Sequence, residues 1–182
     1  VDRMDELSYL APQTLDETTA ALDAHGGAAA ILAGGQSLLP MLRHRLADYD
    51  TVIDINRLGE LGYVELDGDV IRVGCLARHH DVATHDGVRD RCRILHEAAR
   101  GIGDEQVRNR GTLCGSVAHA DPAGDPPVIA AALDATITAR DANGSRTLDA
   151  ASFYGGFYET ELTDREIVTE VAFPTVSPPT GA

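Results

Sequence analysis

The chain contains no lysine and no tryptophan, only 4% aromatic residues and three cysteines. The missing lysine excludes a Walker-type phosphate loop, which needs that side chain to reach the terminal phosphates. All fifteen basic residues are therefore arginine, and 29 acidic residues bring the formal charge to −14. Such a balance argues against a nucleic-acid or acidic-membrane surface, so an anionic ligand would have to be held locally by backbone amides. Cys75, Cys92 and Cys114 form no Cys-x-x-Cys pair and cannot by themselves build a structural zinc site or an iron–sulfur cluster. Cys75 and Cys92 read as buried free thiols of a reducing compartment. No histidine pair stands at metal-ligand spacing ahead of a carboxylate, and no serine or cysteine nucleophile has an identifiable partner. The longest apolar runs, 28–33 and 128–133, are too short to cross a bilayer. The start of the chain, including the acidic run 2–6, is charged where a signal peptide is apolar, and the protein is expected in the cytoplasm.

What is present is enough for a real core: 182 residues, 43% of them apolar, suit one domain or two small ones. Residues 7–10 read as a strand. Thr14 and Glu17 form a capping box opening a helix that Gly26 and Gly27 end. A strand over 28–33, a helix over 37–46 and a strand over 51–55 complete a small β-α-β-turn-α-β lobe. Near residue 57 the pattern changes to a hairpin of strands 63–66 and 70–73 around Asp67, Gly68 and Asp69. Helices follow at 79–84, 91–101 and 126–133, then strands at 135–141, 146–148 and 167–173, with Asn143 and Gly144 as a hairpin turn. The fold class is α+β, in two lobes: 1–57 small, 58–174 large, and 175–182 a tail of linker composition, as if something should follow.

Two glycine-bearing turns stand out. Ile31, Leu32, Ala33, Gly34, Gly35, Gln36, Ser37 and Leu38 run from an apolar strand through glycines into a helix start. Thr112, Leu113, Cys114, Gly115 and Ser116 repeat that logic far along the chain, with Asp121 and Asp125 just beyond as candidate acceptors for ribose hydroxyls. Glycine and small hydroxyl residues let amides approach a phosphate with no side chain in the way. Two such turns read as a dinucleotide site between two lobes. The spacing is not that of the Rossmann fingerprint, because no third glycine follows Gly34 and Gly35 three residues on. His119 reads as a structural histidine rather than a general base, and His79, His80 and His85 as helix-surface residues. The run Glu159 to Glu161 reads as solvated surface.

These motifs carry a resemblance. Segments 33–40, 52–56, 107–112 and 115–125 are similar to the FAD-binding medium subunit of the molybdenum hydroxylases, the group of aerobic carbon monoxide dehydrogenase and xanthine dehydrogenase. The likeness runs from about residue 7 to 174. It implies a two-lobed FAD-binding fold of the PCMH type with FAD extended between the lobes. It further implies that residues 31–38 wrap the pyrophosphate through their amides, and that Thr112, Cys114, Gly115 and Ser116 do so from the other lobe. Asp125 would lie near the ribose, Val168 near the isoalloxazine, and Ile102 at a weaker contact. No catalytic residue and no metal ligand is expected in this chain.

By the same resemblance the partners are a small subunit with two [2Fe-2S] clusters and a large molybdopterin subunit, in a hetero-oligomer whose electrons leave through the FAD to an external acceptor. Family members normally continue into a C-terminal α+β domain that contributes a lysine near the flavin ring, and Cys114 stands where the family pattern has glycine. Two other readings of the sequence remain: a free-standing flavoprotein oxidase on a related fold, and a non-catalytic assembly module.

Overall fold

The computed structural model describes residues 7–175. The acidic run 2–6 and most of the linker-like tail lie outside the described residues. The first three strands form their own parallel sheet. Strand β1 (Ser8–Leu10) and β2 (Ala29–Leu32) flank β3 (Thr51–Asp54) in the order β1-β3-β2. Parallel neighbours need crossover helices, and the chain supplies α1 (Leu15–His25) and α2 (Leu38–Arg43). The start of α1 follows from Thr14, whose Oγ1 accepts from the Glu17 amide at 3.1 Å, while Glu17 Oε2 accepts from the Gln13 amide at 2.7 Å. Its end follows from Gly26, which takes φ +50°. The second helix is shorter than its apolar spacing predicts, because Arg45 turns left-handed at φ +57°.

A five-stranded antiparallel sheet makes the rest of the framework, in the order β4-β5-β10-β6-β7. It consists of β4 (Val64–Asp67), β5 (Val70–Gly74), β6 (Thr136–Asp141), β7 (Gly144–Asp149) and the central β10 (Ile167–Pro174). Six helices lie between β5 and β6: α3 (His79–Thr84), α4 (Asp86–Arg91), α5 (Arg93–Gly101), α6 (Glu105–Arg108), α7 (Leu113–His119) and α8 (Asp125–Ala132). After β7 come α9 (Ala150–Phe153) and a small hairpin, β8 (Tyr154–Gly156) with β9 (Glu159–Thr160).

The helix expected over 91–101 is broken at Cys92, whose fully buried side chain packs in the core while its backbone leaves the helical region at φ −150°, ψ 74°. A separate helix precedes it, capped by His85, whose Nδ1 accepts from the Val88 amide. No helix among the described residues is long and apolar enough to cross a membrane.

One apolar core joins both sheets, running from Leu22 and Ile53 through Ile71, Val73 and Leu95 to Ile137, Val171 and Phe173. At the surface Asp16 of α1 pairs with Arg140 of β6 at 2.5 Å, and Asp23 with Arg165, just ahead of β10, at 2.7 Å. Phe173 is fully buried opposite Ile71 on the central strand. Truncation of Phe173 to alanine is expected to cost about 3–5 kcal/mol in urea unfolding. The same truncation of exposed Val128 is expected to stay within about 0.5 kcal/mol. Equal losses at the two positions would contradict this placement of the core.

Candidate functional site

Strand β2 leaves its sheet at Leu32, and the chain turns through Ala33, Gly34, Gly35, Gln36 and Ser37 into α2. Gly34 is buried against the second turn. A Cβ there would overlap the carbonyl oxygen of Arg110 and lie 2.7 Å from Gly111 Cα and 3.0 Å from the Thr112 nitrogen. No side chain fits, so glycine is what allows the two turns to touch. Gly35 follows at φ +74°, where other residues are strained. Gln36 and Ser37 are exposed. Five consecutive amides, of Gly34, Gly35, Gln36, Ser37 and Leu38, donate to no protein acceptor among the described residues.

The second turn is built on Thr112. Its Oγ1 caps α7 by accepting from the Gly115 amide at 3.1 Å, and a Cβ on Gly115 would stand 2.5 Å from that oxygen. Sequence similarity left Cys114 in the place of a glycine. Its thiol points away from the turn: Sγ donates to the Val73 carbonyl at 3.3 Å, and the residue is 1% exposed. Burial pushes the thiol pKa well above its ordinary value, so it stays neutral. The cysteine therefore offers the turn only its backbone, and its amide and that of Thr112 also donate to no protein acceptor among the described residues.

The junction between β5 and α3 stitches this turn in place. The His79 amide donates to Gly111 O at 3.0 Å and the Leu113 amide to Ala77 O at 3.3 Å, around the bridge of Arg78 with Thr112. His79 is not the surface residue its position suggested. It is 2% exposed, and it fits because Gly111 has no side chain: a Cβ there would meet the imidazole Cδ2 at 3.0 Å. Its Nε2 lies 3.1 Å from Ser116 Oγ, and its Nδ1 is buried without a hydrogen-bond partner. Burial lowers its pKa to about 4.

Two side chains that sequence reasoning did not single out run between the turns. Asn56 donates through Nδ2 to Ala33 O at 2.8 Å and to Asp54 Oδ1 at 2.6 Å, and its Oδ1 accepts from Arg78 at 2.7 Å. A second Arg78 nitrogen donates to Arg110 O at 2.6 Å. Asp54 also accepts from Tyr9 at 2.6 Å. Burial would raise its pKa, but the hydrogen bonds from Tyr9 and Asn56 and the nearby Arg57 charge outweigh that and hold it below the usual carboxylate range. Arg78 is half-buried, and burial first and the Arg110 charge second lower its pKa.

The remaining predicted residues lie elsewhere in the fold. Asp125 is exposed at the first position of α8, and Ile102 is half-buried after α5, its carbonyl accepting from Arg108 at 3.0 Å. Val168 is 5% exposed on β10, opposite Ala139. No hydrogen bond among the described residues ties these three to either turn. His119 ends α7 with its ring 5.1 Å from that of Tyr158, which is exposed beside Phe157 at the tip of the β8–β9 hairpin. Among the described residues no group of three or more His, Cys, Asp or Glu is placed to hold a metal ion.

The arrangement brings together two turns whose amides, among the described residues, lack protein acceptors, the chemistry of an anion-binding fold. The chain belongs to the family described as the FAD binding domain in molybdopterin dehydrogenase, matched over residues 5–176. It is 42% identical to the glyceraldehyde dehydrogenase medium chain of Sulfolobus acidocaldarius, over 93% of this chain and 60% of that one. It is 39% identical to the carbon monoxide dehydrogenase medium chain of Hydrogenophaga pseudoflava, over 95% and 60%. A solved carbon monoxide dehydrogenase from Hydrogenophaga pseudoflava, which lacks the Mo-pyranopterin moiety of its cofactor, superposes with a TM-score of 0.91 at 38% identity, covering 94% of this chain and 60% of that one. The α+β fold expected from sequence is thus the fold of these FAD subunits. The chain spans about 60% of the length of the curated relatives it matches.

His79 gives the site a measurable pH signature. Its folded pKa of about 4 lies below the unfolded value near 6.5, so the unfolded state takes up the proton first as pH falls. Stability is expected to drop by about 3 kcal/mol between pH 6.5 and 4 on this account, and to lose nothing further from this group below that. Urea unfolding of His79→Gln, which does not titrate, should show a flatter profile over that window; an unchanged slope would refute the assignment.

Proposed function

We propose that this chain carries FAD as the flavin-bearing portion of a multisubunit molybdenum hydroxylase. In that role it takes electrons from the [2Fe-2S] clusters of a small partner subunit, downstream of a large molybdopterin subunit, and passes them to an external acceptor. The observation that carries this reading is the run of five unpaired amides from Gly34 to Leu38, packed through Gly34 onto the backbone of the second turn.

The residues present fit the cofactor's diphosphate on three grounds. The amides are donors in need of acceptors. Gly34, Gly35 and Gly115 carry no Cβ, and Cys114 turns its side chain inward. The half-buried Arg78 guanidinium, close to a second positive charge at Arg110, supplies local cationic character within a chain of net charge −14. Residues 31–38 would hold one side of the diphosphate and Thr112, Cys114, Gly115 and Ser116 the other. Asp125 is assigned to the ribose, Val168 to the isoalloxazine, and Ile102 to a weaker contact.

When bound, FAD supplies hydride and one-electron chemistry that no side chain here provides. What this chain does is bind, orient and neutralise. Ser116 is placed as a donor: with the imidazole proton on Nε2, His79 donates to Ser116 Oγ and leaves the hydroxyl proton free for a phosphate oxygen. The division near residue 57 belongs to the same reading, with the parallel sheet carrying one turn and the helices of the larger segment the other. So does a cytoplasmic location, in keeping with three buried free cysteines.

Gly34→Val separates this reading from that of a tight turn. Its side chain meets the Arg110–Thr112 backbone and pries the two turns apart. FAD affinity, read by fluorescence quenching or by flavin retained after desalting, should fall at least about 100-fold, roughly 2.7 kcal/mol. Wild-type retention of FAD by a folded Gly34→Val protein would overturn the assigned site.

A further inference from the structure

We infer that Asn56 and Arg78 form a clasp that sets the separation and facing of the two diphosphate turns, making them positioning residues for the cofactor. The inference rests on the FAD reading above and goes beyond it, because neither side chain lies on either turn. It starts from which backbone groups the clasp engages. Asn56 Nδ2 holds the carbonyl of Ala33, and Arg78 holds the carbonyl of Arg110. Asn56 Oδ1 accepts from Arg78, so the two side chains form one continuous link between the turns. Each end grips a C=O and leaves the amides to the ligand.

At the first turn the peptide geometry makes this directional. In a trans peptide the C=O of one residue and the N–H of the next point to opposite sides. Fixing Ala33 O toward Asn56 therefore aims the Gly34 N–H away from it, at the head of the run of unpaired amides. The turn is otherwise weakly held on this side. Its other side-chain hydrogen bond among the described residues is Gln36 Nε2 to Gly34 O at 3.3 Å, and Gly35 sits at a positive φ.

The amide orientation of Asn56 is fixed by its surroundings. Flipped, its oxygen would face two acceptors, Ala33 O and Asp54 Oδ1, and its NH2 would face the Arg78 guanidinium. Asp54 accepts from both the Asn56 amide and its side chain, and Tyr9 in turn donates to Asp54, so β1 and β3 brace the clasp from behind. At the far end the Arg78 amide donates to Asp81 at 2.8 Å, anchoring its backbone at the start of α3. Asparagine is the residue the middle position requires: it alone among side chains of this size offers one acceptor to a cation and two donors to two oxygens.

The test compares Asn56→Ala, Arg78→Ala and the double variant in the full-length protein, titrated with FAD and separately with ADP, which carries a diphosphate without a flavin. Each single variant is expected to weaken both ligands by a similar factor, about 10- to 100-fold. The double variant should lose no more than the worse single one, because breaking either half opens the same link. Arg78→Lys, which keeps the charge and one donor, should recover part of the loss. Asn56→Asp, which sets a carboxylate against Ala33 O and Asp54, should do worse than Asn56→Ala. Arg89→Ala breaks an exposed ion pair with Asp86 on α4, an element that carries none of the assigned ligand residues, and should leave both affinities unchanged, serving as the control for stability alone. If an alanine variant fails to fold, Arg78→Lys and Asn56→Asp decide. Wild-type affinities in folded variants, or losses that add in the double variant, would overturn the clasp while leaving the FAD site standing. A wild-type protein that binds neither FAD nor ADP would overturn the FAD site, and the clasp with it.

Discussion

The structure depends on a backbone-to-backbone contact between two segments far apart in sequence. Gly34 lies so close to Arg110, Gly111 and Thr112 that even a methyl group would not fit between them. Around that contact the polar groups fall into two sets. Carbonyls are taken by protein donors: Ala33 O by Asn56, Arg110 O by Arg78 and Gly111 O by the His79 amide. Amides, from Gly34 to Leu38 and at Thr112 and Cys114, are left without protein acceptors among the described residues. Unpaired donors and satisfied acceptors suit the turns to an anion, the basis of the proposed site, with no charged side chain required to point at it.

On the proposed reading, this polarity is what lets a strongly acidic chain without lysine accommodate a diphosphate. Its overall field opposes anions, but that field acts through solvent, where separations beyond about 8–10 Å are screened. The oriented amides act at contact distance, where screening is weak, and the half-buried Arg78 holds the turns that carry them. The larger sheet and α1 provide the rigidity this needs. One continuous core joins the first sheet and α1 to the second sheet, with exposed ion pairs of Arg140 to Asp16 and Arg165 to Asp23 at its rim, so the turns are carried by elements that cannot drift apart freely.

Much of the framework was legible in the sequence. The Thr14 cap of α1, the alternation of β4 and β5, the Asn143–Gly144 hairpin and the glycine turns each have a local chemical cause, and each fell within a residue or two of its expected place; Glu17 reaches back to the Gln13 amide rather than to Thr14, so the capping box is only half formed. What was not legible depended on contacts between distant segments. Cys114 stands where the family pattern has glycine, and only the Val73 carbonyl shows that its thiol packs inward. His79 has the neighbours of a surface helix, and its burial follows from the absence of a side chain on Gly111, far along the chain. Helix α7 was hidden inside the second glycine motif, because its glycine and serine content masks a seven-residue helix capped by Thr112. The roles of Asn56 and Arg78 had no local signal, since an asparagine after a strand and an arginine before a helix are unremarkable until their partners are known.

The central claim is that the amides at both turns are the ligand-binding groups, and amide hydrogen exchange with and without FAD tests it most directly. The account predicts protection on FAD addition at Gly34 through Leu38 and at Thr112 and Cys114 together, with ADP reproducing the pattern at both turns. Exchange at these amides that does not change while FAD is bound elsewhere on the chain would contradict it.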